Sequence, residues 1–477
     1  MKSQQEELKP QFDLTYANRA LVLFAVLAAF VLYVEFMLLP SLPAIAKDYS
    51  VNSAQASLIL ALYTVFGTAV NPLVGKLGDL FGKKKVLMFV LVIYSVMVTI
   101  TSFATNFEIL LASRAFQGIG LGIFPLAFSL AREQFPKEMI PRAQGLISAM
   151  FGAGTAAGLS GGAFVANSYG WQMNYHIATV FIVVLTVLVF FQVRESPFKN
   201  PTARLDYVGA GLLGAALAAI VFGLSAGSSL GWTSVPVLGL NLCGLLLLVP
   251  LVLFERKVKE PVLNLKLLGI RNVLISNGAA LAYTLSMYAA FQAIIYQLEL
   301  PTPVGPGFDI LEAGLYVLPI AITLLVVAYF SGILISRLGV KLFLLLGGVI
   351  GAIGCYLAST SSMAIQSIEF LCFGAVGLGM LMVATQNLLV LTVKNQDMGL
   401  ATSMSTVFKN IGSSLGAPIS GSLISTYTAI YFGGGGPPMN LPTHMAFQYC
   451  YYAAMIGFIA AFALSLFALE VIGKKSR

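Results

Sequence analysis

Three ionisable residues fall inside stretches of this sequence that are otherwise almost wholly apolar: Glu35, Arg114 and Lys409. Glu35 lies in the run LVLFAVLAAFVLYVEFMLLP. A carboxylate in such surroundings must be neutralised, paired or hydrated, and ionisable groups inside membrane helices usually have a function. The chemistry open to a carboxylate at this place is to bind and release a proton or a cation.

The composition indicates a membrane protein. Hydrophobic residues make up 58% of the chain and charged residues 10%, whereas soluble proteins have about 25% charged residues. Fourteen apolar runs follow one another between residues 19 and 470, most of them near the ~20 residues that cross a bilayer. The first run has no cleavage site after it and is expected to be a retained helix. We therefore expect an all-α polytopic protein with no catalytic domain, and hence not an enzyme.

The net charge of +8 is explained by topology. With the N-terminus in the cytoplasm, all of the 27 Lys and Arg residues except Lys47, Arg114 and Lys409 fall in or beside cytoplasmic segments. This distribution follows the positive-inside rule and predicts that both termini are cytoplasmic, in a plasma-membrane protein. It argues against nucleic acid as a partner.

The two ends of the chain repeat each other after a shift of 257 residues, which brings Gly75 onto Gly332 and Lys84 onto Lys341. The same shift brings Glu35 onto Gln292. Two parallel six-helix units are typical of transporters that hold their substrate between the halves. We predict a first bundle in residues 1–205, an inserted helix pair in 206–260 and a second bundle in 261–477.

A short basic loop, GKLGDLFGKKK, joins the second and third runs. Two interpretations are open: a tight turn that only sets topology, or a latch in which the acid of the loop binds neighbouring basic groups. The second copy has Ser336 in place of the acid but keeps a basic residue. The candidate gating residues are Gly75, Asp79, Gly82, Lys83, Lys84 and Arg337.

Arg114 opens the run RAFQGIGLG and lies at about the same depth as Glu35. An ion pair between them would tune proton binding at Glu35, or would simply tie the two helices together. Lys409 either faces a cavity or extends its side chain towards the cytoplasm. The fifth run carries Gly145, Gly154, Gly158 and Gly161 on one face, which favours close helix packing in lipid.

These motifs resemble those of the major facilitator superfamily. GKLGDLFGKKK is similar to its signature loop, with Leu80 where a basic residue is usual, and RAFQGIGLG is similar to its motif for proton transfer. The glycines of the fifth run resemble the antiporter motif, although Leu159 replaces the usual proline. Fourteen runs with these motifs resemble the drug:H⁺ antiporter branch, in which the acid of the first helix stands one residue before Glu35.

The resemblance implies that Asp79 helps to close the cytoplasmic side and that the protein is a monomeric, proton-coupled exporter of amphipathic compounds. We expect a small-molecule substrate, protons and lipid as partners, and a proton gradient instead of a cofactor or metal. Proton-coupled uptake or export of a metabolite or organic anion is the alternative, and a membrane sensor is a remote one. The candidate cavity residues are Tyr33, Glu35, Gln117, Tyr288, Gln292, Tyr296, Gln386, Asn387 and Lys409.

Overall fold

The computed structural model describes residues 13–136, 139–196, 198–200, 204–258, 260–394, 397–431 and 438–471. Most of these residues are helical, as the apolar runs predict. The two chain ends, both predicted to be cytoplasmic, lie outside the described residues. We call the side of the molecule on which the first helix begins the near side, and the opposite side the far side.

The first half of the chain forms six long helices that cross from one side to the other in turn. Asn52 and Asn106 cap the far-side starts of two of them with their side-chain oxygens, as expected for N-cap residues. The first helix breaks after Phe36 at two prolines, Pro40 and Pro43, and continues as a short helix, Leu42–Asp48. The bounds are α1 (Leu14–Phe36), α2 (Ser53–Phe81), α3 (Lys83–Ser102), α4 (Phe107–Gln117, Gly118–Gly122 and Ile123–Gln134), α5 (Ile140–Ala157, Gly158–Gly162 and Ala163–Tyr169) and α6 (Trp171–Gln192).

Eight further long helices follow, and a short helix, Leu265–Leu268, precedes the third of them. A two-stranded antiparallel hairpin lies before the last helix, with Thr428 paired to Pro442. The bounds are α7 (Tyr207–Leu230), α8 (Val235–Glu255), α9 (Arg271–Glu299), α10 (Ile310–Leu338), α11 (Val340–Thr360), α12 (Ala364–Thr392), α13 (Met398–Thr426), β1 (Thr428–Tyr431), β2 (Met439–Pro442) and α14 (His444–Leu466).

Within the described ranges, thirteen of these segments are long and apolar enough to cross a membrane. The predicted span at residues 399–427 is also a helix, α13, but it is rich in serine and is not among the thirteen. It packs against α2, α7 and α9. Contact with other helices on several sides lets α13 carry more polar residues than its neighbours, because less of its surface has to face lipid.

The inserted pair α7 and α8 packs at the edge of the assembly. α7 contacts α2 of the first half and α13 of the second. Ser225 of α7 donates a hydrogen bond to the carbonyl of Ala54 at 3.0 Å, and Ser422 of α13 donates one to the carbonyl of Leu224. α8 packs mainly against α7 and exposes a leucine-rich surface. The pair therefore bridges the two halves on one side.

The two halves repeat the same arrangement where α3 and α11 begin. Gly82 and Gly339 precede these helices with φ values of +112° and +89°. The Lys84 side chain donates to the carbonyl of Phe190 at 2.8 Å, and the Lys341 side chain donates to that of Leu466 at 3.0 Å. Glu195 accepts hydrogen bonds from the first backbone N–H groups of α3, and Glu470 from those of α11. The structure thus shows the internal repeat that the sequence predicts for this part of the chain.

The repeat has a different offset at α1 and α9. A Cβ placed on Gly154 of α5 would lie 2.2 Å from the carbonyl oxygen of Ala29, and one on Gly412 of α13 would lie 2.2 Å from that of Leu281. The partners of these equivalent glycines are therefore 252 residues apart instead of 257. The prediction that Gln292 is the repeat partner of Glu35 is wrong. Met287 holds that position, because the chain between this contact and the next long helix is five residues longer in the second half.

Close contact at Gly154 generates a first prediction. We expect Gly154→Ala to lower the free energy of unfolding by about 1–3 kcal/mol, since the added methyl group overlaps the backbone of α1. Thermal unfolding of the purified protein in detergent measures the effect. Gly145→Ala is the matched control, because a Cβ there meets no atom within 4 Å. Equal unfolding temperatures for the two variants would contradict the packing described for α5.

Candidate functional site

The carboxylate of Glu35 lies where the two halves meet. Glu35 is 6% exposed and stands one residue before the end of α1. Tyr288 of α9 donates its hydroxyl group to Oε1 of Glu35. The rings of Phe36 and Tyr288 lie 5.9 Å apart. Since hydrogen bonds to a carboxylate are stronger than those between neutral groups, the state of Glu35 bears directly on the contact between α1 and α9.

Arg114 is completely buried beside this contact. Its Nη1 donates to Oε1 of Gln117 at 3.1 Å and to the carbonyl oxygen of Val34 at 3.4 Å. The guanidinium carbon lies 4.7 Å from the ring centre of Tyr63. Among the ion pairs found in the described part of the chain, none joins Arg114 to Glu35. Arg114 therefore holds the backbone next to Glu35.

Gln117 and Tyr33 serve as contacts between helices. Gln117 is completely buried, accepts from Arg114 and donates to Oγ1 of Thr101 at 2.5 Å. In this structure both ends of its amide bind other groups of the first half, and its place on a cavity wall stays a prediction. Tyr33 is partly exposed and donates its hydroxyl to Asn174 of α6 at 3.2 Å.

Lys409 lies in the near half of α13 and is partly exposed. Its Nζ donates to Oε1 of Gln386 on α12 at 3.3 Å. Asn387, the next residue, binds the backbone of its own helix through Val383. No acidic side chain lies within 4 Å of Lys409 among the described residues. The second half thus presents a basic group that, among the described residues, binds the neutral amide of Gln386 and forms no ion pair.

Gln292 and Tyr296 follow Tyr288 along α9 towards the far side. Both are buried, and within the part of the chain that the structure describes neither the amide of Gln292 nor the hydroxyl of Tyr296 has a hydrogen-bond partner. The amide nitrogen of Gln292 lies next to Gly421, where α13 meets Ser53 of α2. The structure therefore places Gln292 at the boundary between the halves and Tyr296 one turn further along the same face of α9.

The signature loop forms a network within the first half. The buried Nζ of Lys83 lies 2.9 Å from Asp79 and 2.7 Å from Glu133 of α4. Gly75 has free space around it, and Arg337 of the second copy is exposed. The Asp79 carboxylate therefore joins the near-side ends of α2, α3 and α4 through a lysine that both acids share.

Three acidic residues of the near side were missed in the sequence: Glu133, Glu195 and Glu260. Glu260 lies after α8 and accepts from Lys76 of α2 through its carbonyl oxygen, with its carboxylate 3.6 Å from the same Nζ. The signal that could have found them is their place at near-side helix ends, directly beside basic loops. Each ties α2 or α3 to a neighbouring segment.

Contacts between the halves concentrate on the far side. Ser53 of α2 donates to the carbonyl of Gly421 at 3.0 Å and shares a 2.6 Å hydrogen bond with Ser425. Gly314 of α10 packs on the backbone of Leu159 in α5. The antiporter-like glycines divide accordingly: Gly158 packs on α1, whereas the nearest atom to a Cβ on Gly161 is 3.9 Å away. The far-side ends of the two bundles thus pack directly together.

The sequence matches the family profile of the Major Facilitator Superfamily over residues 24–206 and 207–417. The chain belongs to the Major Facilitator Superfamily. It is therefore a multi-pass membrane protein of a superfamily of transporters, and its two bundles are those of the superfamily fold.

Relatives within the superfamily agree with this assignment. An uncharacterised transporter of Mycobacterium tuberculosis is 29% identical over 407 residues, which cover 82% of this chain and 57% of the relative. The chain thus spans little more than half the length of that relative. The tetracenomycin C resistance and export protein of Streptomyces glaucescens is 26% identical, with 84% of this chain and 74% of the relative covered. A bacterial homologue of the human lysosomal transporter Spinster, in an inward-facing conformation, has the same fold, with a TM-score of 0.66, 13% identity and coverage of 95% and 96%.

The shared lysine of the signature loop generates a second prediction. Lys83→Met should lower the free energy of unfolding by about 2 kcal/mol, because Asp79 and Glu133 would be left close together without their common cation. Thermal unfolding in detergent measures the loss. Lys85→Met is the matched control, since the Lys85 side chain is exposed. If both variants unfold at the temperature of the unmodified protein, the Lys83 network does not stabilise the fold.

Proposed function

We propose that this protein exports amphipathic small molecules in exchange for protons, by alternating access of a site between its halves. The hydrogen bond from Tyr288 to Glu35 supports this proposal most strongly. It joins an ionisable group of one half to the other half, so that proton binding changes a contact that holds the halves together. A group that couples proton binding to transport must alter a contact between the parts that move. The hydrogen bond from Tyr288 to Glu35 is such a contact.

Each further candidate residue has a role in this scheme. Arg114 holds the α1 backbone beside Glu35 through the carbonyl of Val34. Asp79 and Lys83 hold the near-side end of the first half as a unit when the halves move. Tyr288 and Gln292 line the boundary that opens and closes. Of the antiporter-like glycines, Gly154 and Gly158 let α5 and α1 lie close enough to move together.

The names of the relatives support the proposed direction of transport. The Streptomyces glaucescens relative is named for resistance and export, which favours outward transport here. We assign the near side to the cytoplasm from the positive-inside rule, with both termini there and the protein a monomer in the plasma membrane. Residues 1–205, 206–260 and 261–477 form the proposed units, and nucleic acid has no part in the function.

Lys409 favours a second candidate function. A positive charge in the membrane region without an acidic partner suits a substrate that carries an anionic group. Proton-coupled transport of an organic anion would place that group near Lys409 and Gln386. This candidate uses the same coupling group, Glu35, and differs only in the charge of the substrate.

Glu35→Gln in proteoliposomes tests the coupling. We expect the variant to exchange a transported dye at a rate near that of the unmodified protein but to lose accumulation driven by an imposed pH gradient, since the amide binds no proton. The dyes are ethidium as a cation and carboxyfluorescein as an anion, and the one that the unmodified protein accumulates is used. Glu108→Gln, at an exposed acid in the first turn of α4, is the matched control. Full accumulation by Glu35→Gln would show that Glu35 only has a structural role.

A further inference from the structure

Four polar residues of α9 share one helical face: Tyr288, Gln292, Tyr296 and Glu299. Their spacing of four, four and three residues places them above one another along the helix. At a rise of about 1.5 Å per residue they extend over about 16 Å. The row starts at the Glu35 carboxylate, which Tyr288 binds, and ends at the far-side end of α9. It therefore links the proposed proton site to that side of the membrane.

The polar atoms of this row have no hydrogen-bond partners in the described part of the chain beyond Tyr288. Both amide atoms of Gln292, the hydroxyl of Tyr296 and Oε1 of Glu299 are buried and unpaired. Buried polar groups in proteins are normally satisfied by other groups or by ordered water. Unpaired atoms at three successive positions on one face thus indicate a hydrated track.

The opposite face of the same helix shows the contrast. Gln297 accepts a hydrogen bond from the hydroxyl of Tyr451 at 2.7 Å, and Ser286 donates one to the carbonyl of Ala454 at 2.7 Å. These residues face α14 within the second half and have partners there. The row with unpaired atoms is therefore a property of the face that is turned towards the first half, and not of α9 in general.

The surroundings of the row are polar and lie at the contact between the halves. A Cβ on Gly421 of α13 would lie 2.9 Å from the amide nitrogen of Gln292 and 2.6 Å from the carbonyl oxygen of Ser53. Ser53 and Ser425 share a hydrogen bond at the same level. Glu299 is partly exposed, so the row reaches the surface on the far side.

We propose that this row conducts protons from the far side of the membrane to Glu35. A hydronium ion arriving beside Glu299 passes its proton along water molecules held by Tyr296 and Gln292. The proton binds the Glu35 carboxylate, which becomes a neutral carboxylic acid, and the hydronium ion becomes water. Gln292 and Tyr296 are positioning residues, since they order water without changing their own charge.

Few charged or titratable groups bear on the two ends of the row. Asp309, at the N-cap of α10, acts on Glu299 through its charge. At the inner end Glu35 is faced by Arg114 of α4, Tyr63 of α2, Tyr94 of α3 and Tyr288 of α9. The acids at the outer end attract protons to that end of the row, whereas the charge of Arg114 opposes the arrival of a proton at the inner end.

The pathway rests on the proposed role of Glu35, and one experiment separates the two. Protein in liposomes is given a sudden proton release from a photolabile acid on the far side, and infrared absorption of carboxylic acid groups records protonation. Glu35→Gln identifies the band of Glu35. We expect Gln292→Leu and Tyr296→Phe each to slow its appearance about tenfold or more, because a positioned proton-transfer group typically contributes at least this much. The equilibrium midpoint of the titration should stay unchanged.

Tyr451→Phe is the matched control for Tyr296→Phe, because it removes a buried hydroxyl of α14 that binds the other face of α9. Gln292→Asn should keep fast protonation, because it keeps an amide. Rates near those of the unmodified protein in both Gln292→Leu and Tyr296→Phe would overturn the pathway while leaving the role of Glu35 intact. A shifted midpoint with an unchanged rate would also overturn it, since that result marks a structural role. If Glu35→Gln removes no band, the proposed function fails and the pathway fails with it.

Discussion

The hydrogen bond between Tyr288 and Glu35 is the contact on which the arrangement of the two halves depends. An ionised group between apolar helices is costly unless it is bound, and here the other half supplies the binding group. This requirement fixes the depth of α1 against α9. Each of these two helices also packs closely within its own half, because Gly154 of α5 allows backbone contact with α1 and Gly412 of α13 allows it with α9. The site is thus held by close packing on both sides.

The internal repeat explains why these two helices meet where they do. Gly158 of α5 packs on Cβ of Phe36, and Gly416 of α13 packs on Cβ of Tyr288, so Phe36 and Tyr288 are equivalent residues of the two halves. Their rings also contact each other, as equivalent residues do next to a twofold axis. Glu35 stands one residue away, and its equivalent is Met287. The charge at the axis is therefore present on one side only, which a symmetric pair of helices would not provide.

Sequence reasoning predicted the helices, the repeat and the buried carboxylate, because long apolar runs and a single charge within them have few interpretations. It assigned Gln292 as the repeat equivalent of Glu35 by applying the offset of the signature loops to the whole chain. That offset does not hold at α9, because the chain after α9 is longer in the second half. It also placed Gln117 on a cavity wall. A polar residue in a membrane helix gives no sign of which groups satisfy it, and here Arg114 of the same helix and Thr101 of α3 bind the amide of Gln117. The roles of Glu133 and Glu260 could be found only from the fold, because their partners Lys83 and Lys76 lie far away in the sequence.

A carboxylate bound by a tyrosine can act as a switch of useful strength. A hydrogen bond to a charged group contributes about 1.5–3 kcal/mol, and coupling between two sites in proteins is typically about 1–3 kcal/mol. Protonation of Glu35 removes the charge from this bond, so one proton can shift the balance between two arrangements of the halves by a factor of ten or more. The far-side ends of the bundles pack together through Ser53 and Gly421. On the proposed pathway protons reach Glu35 along α9, so proton access and substrate access need not use the same path.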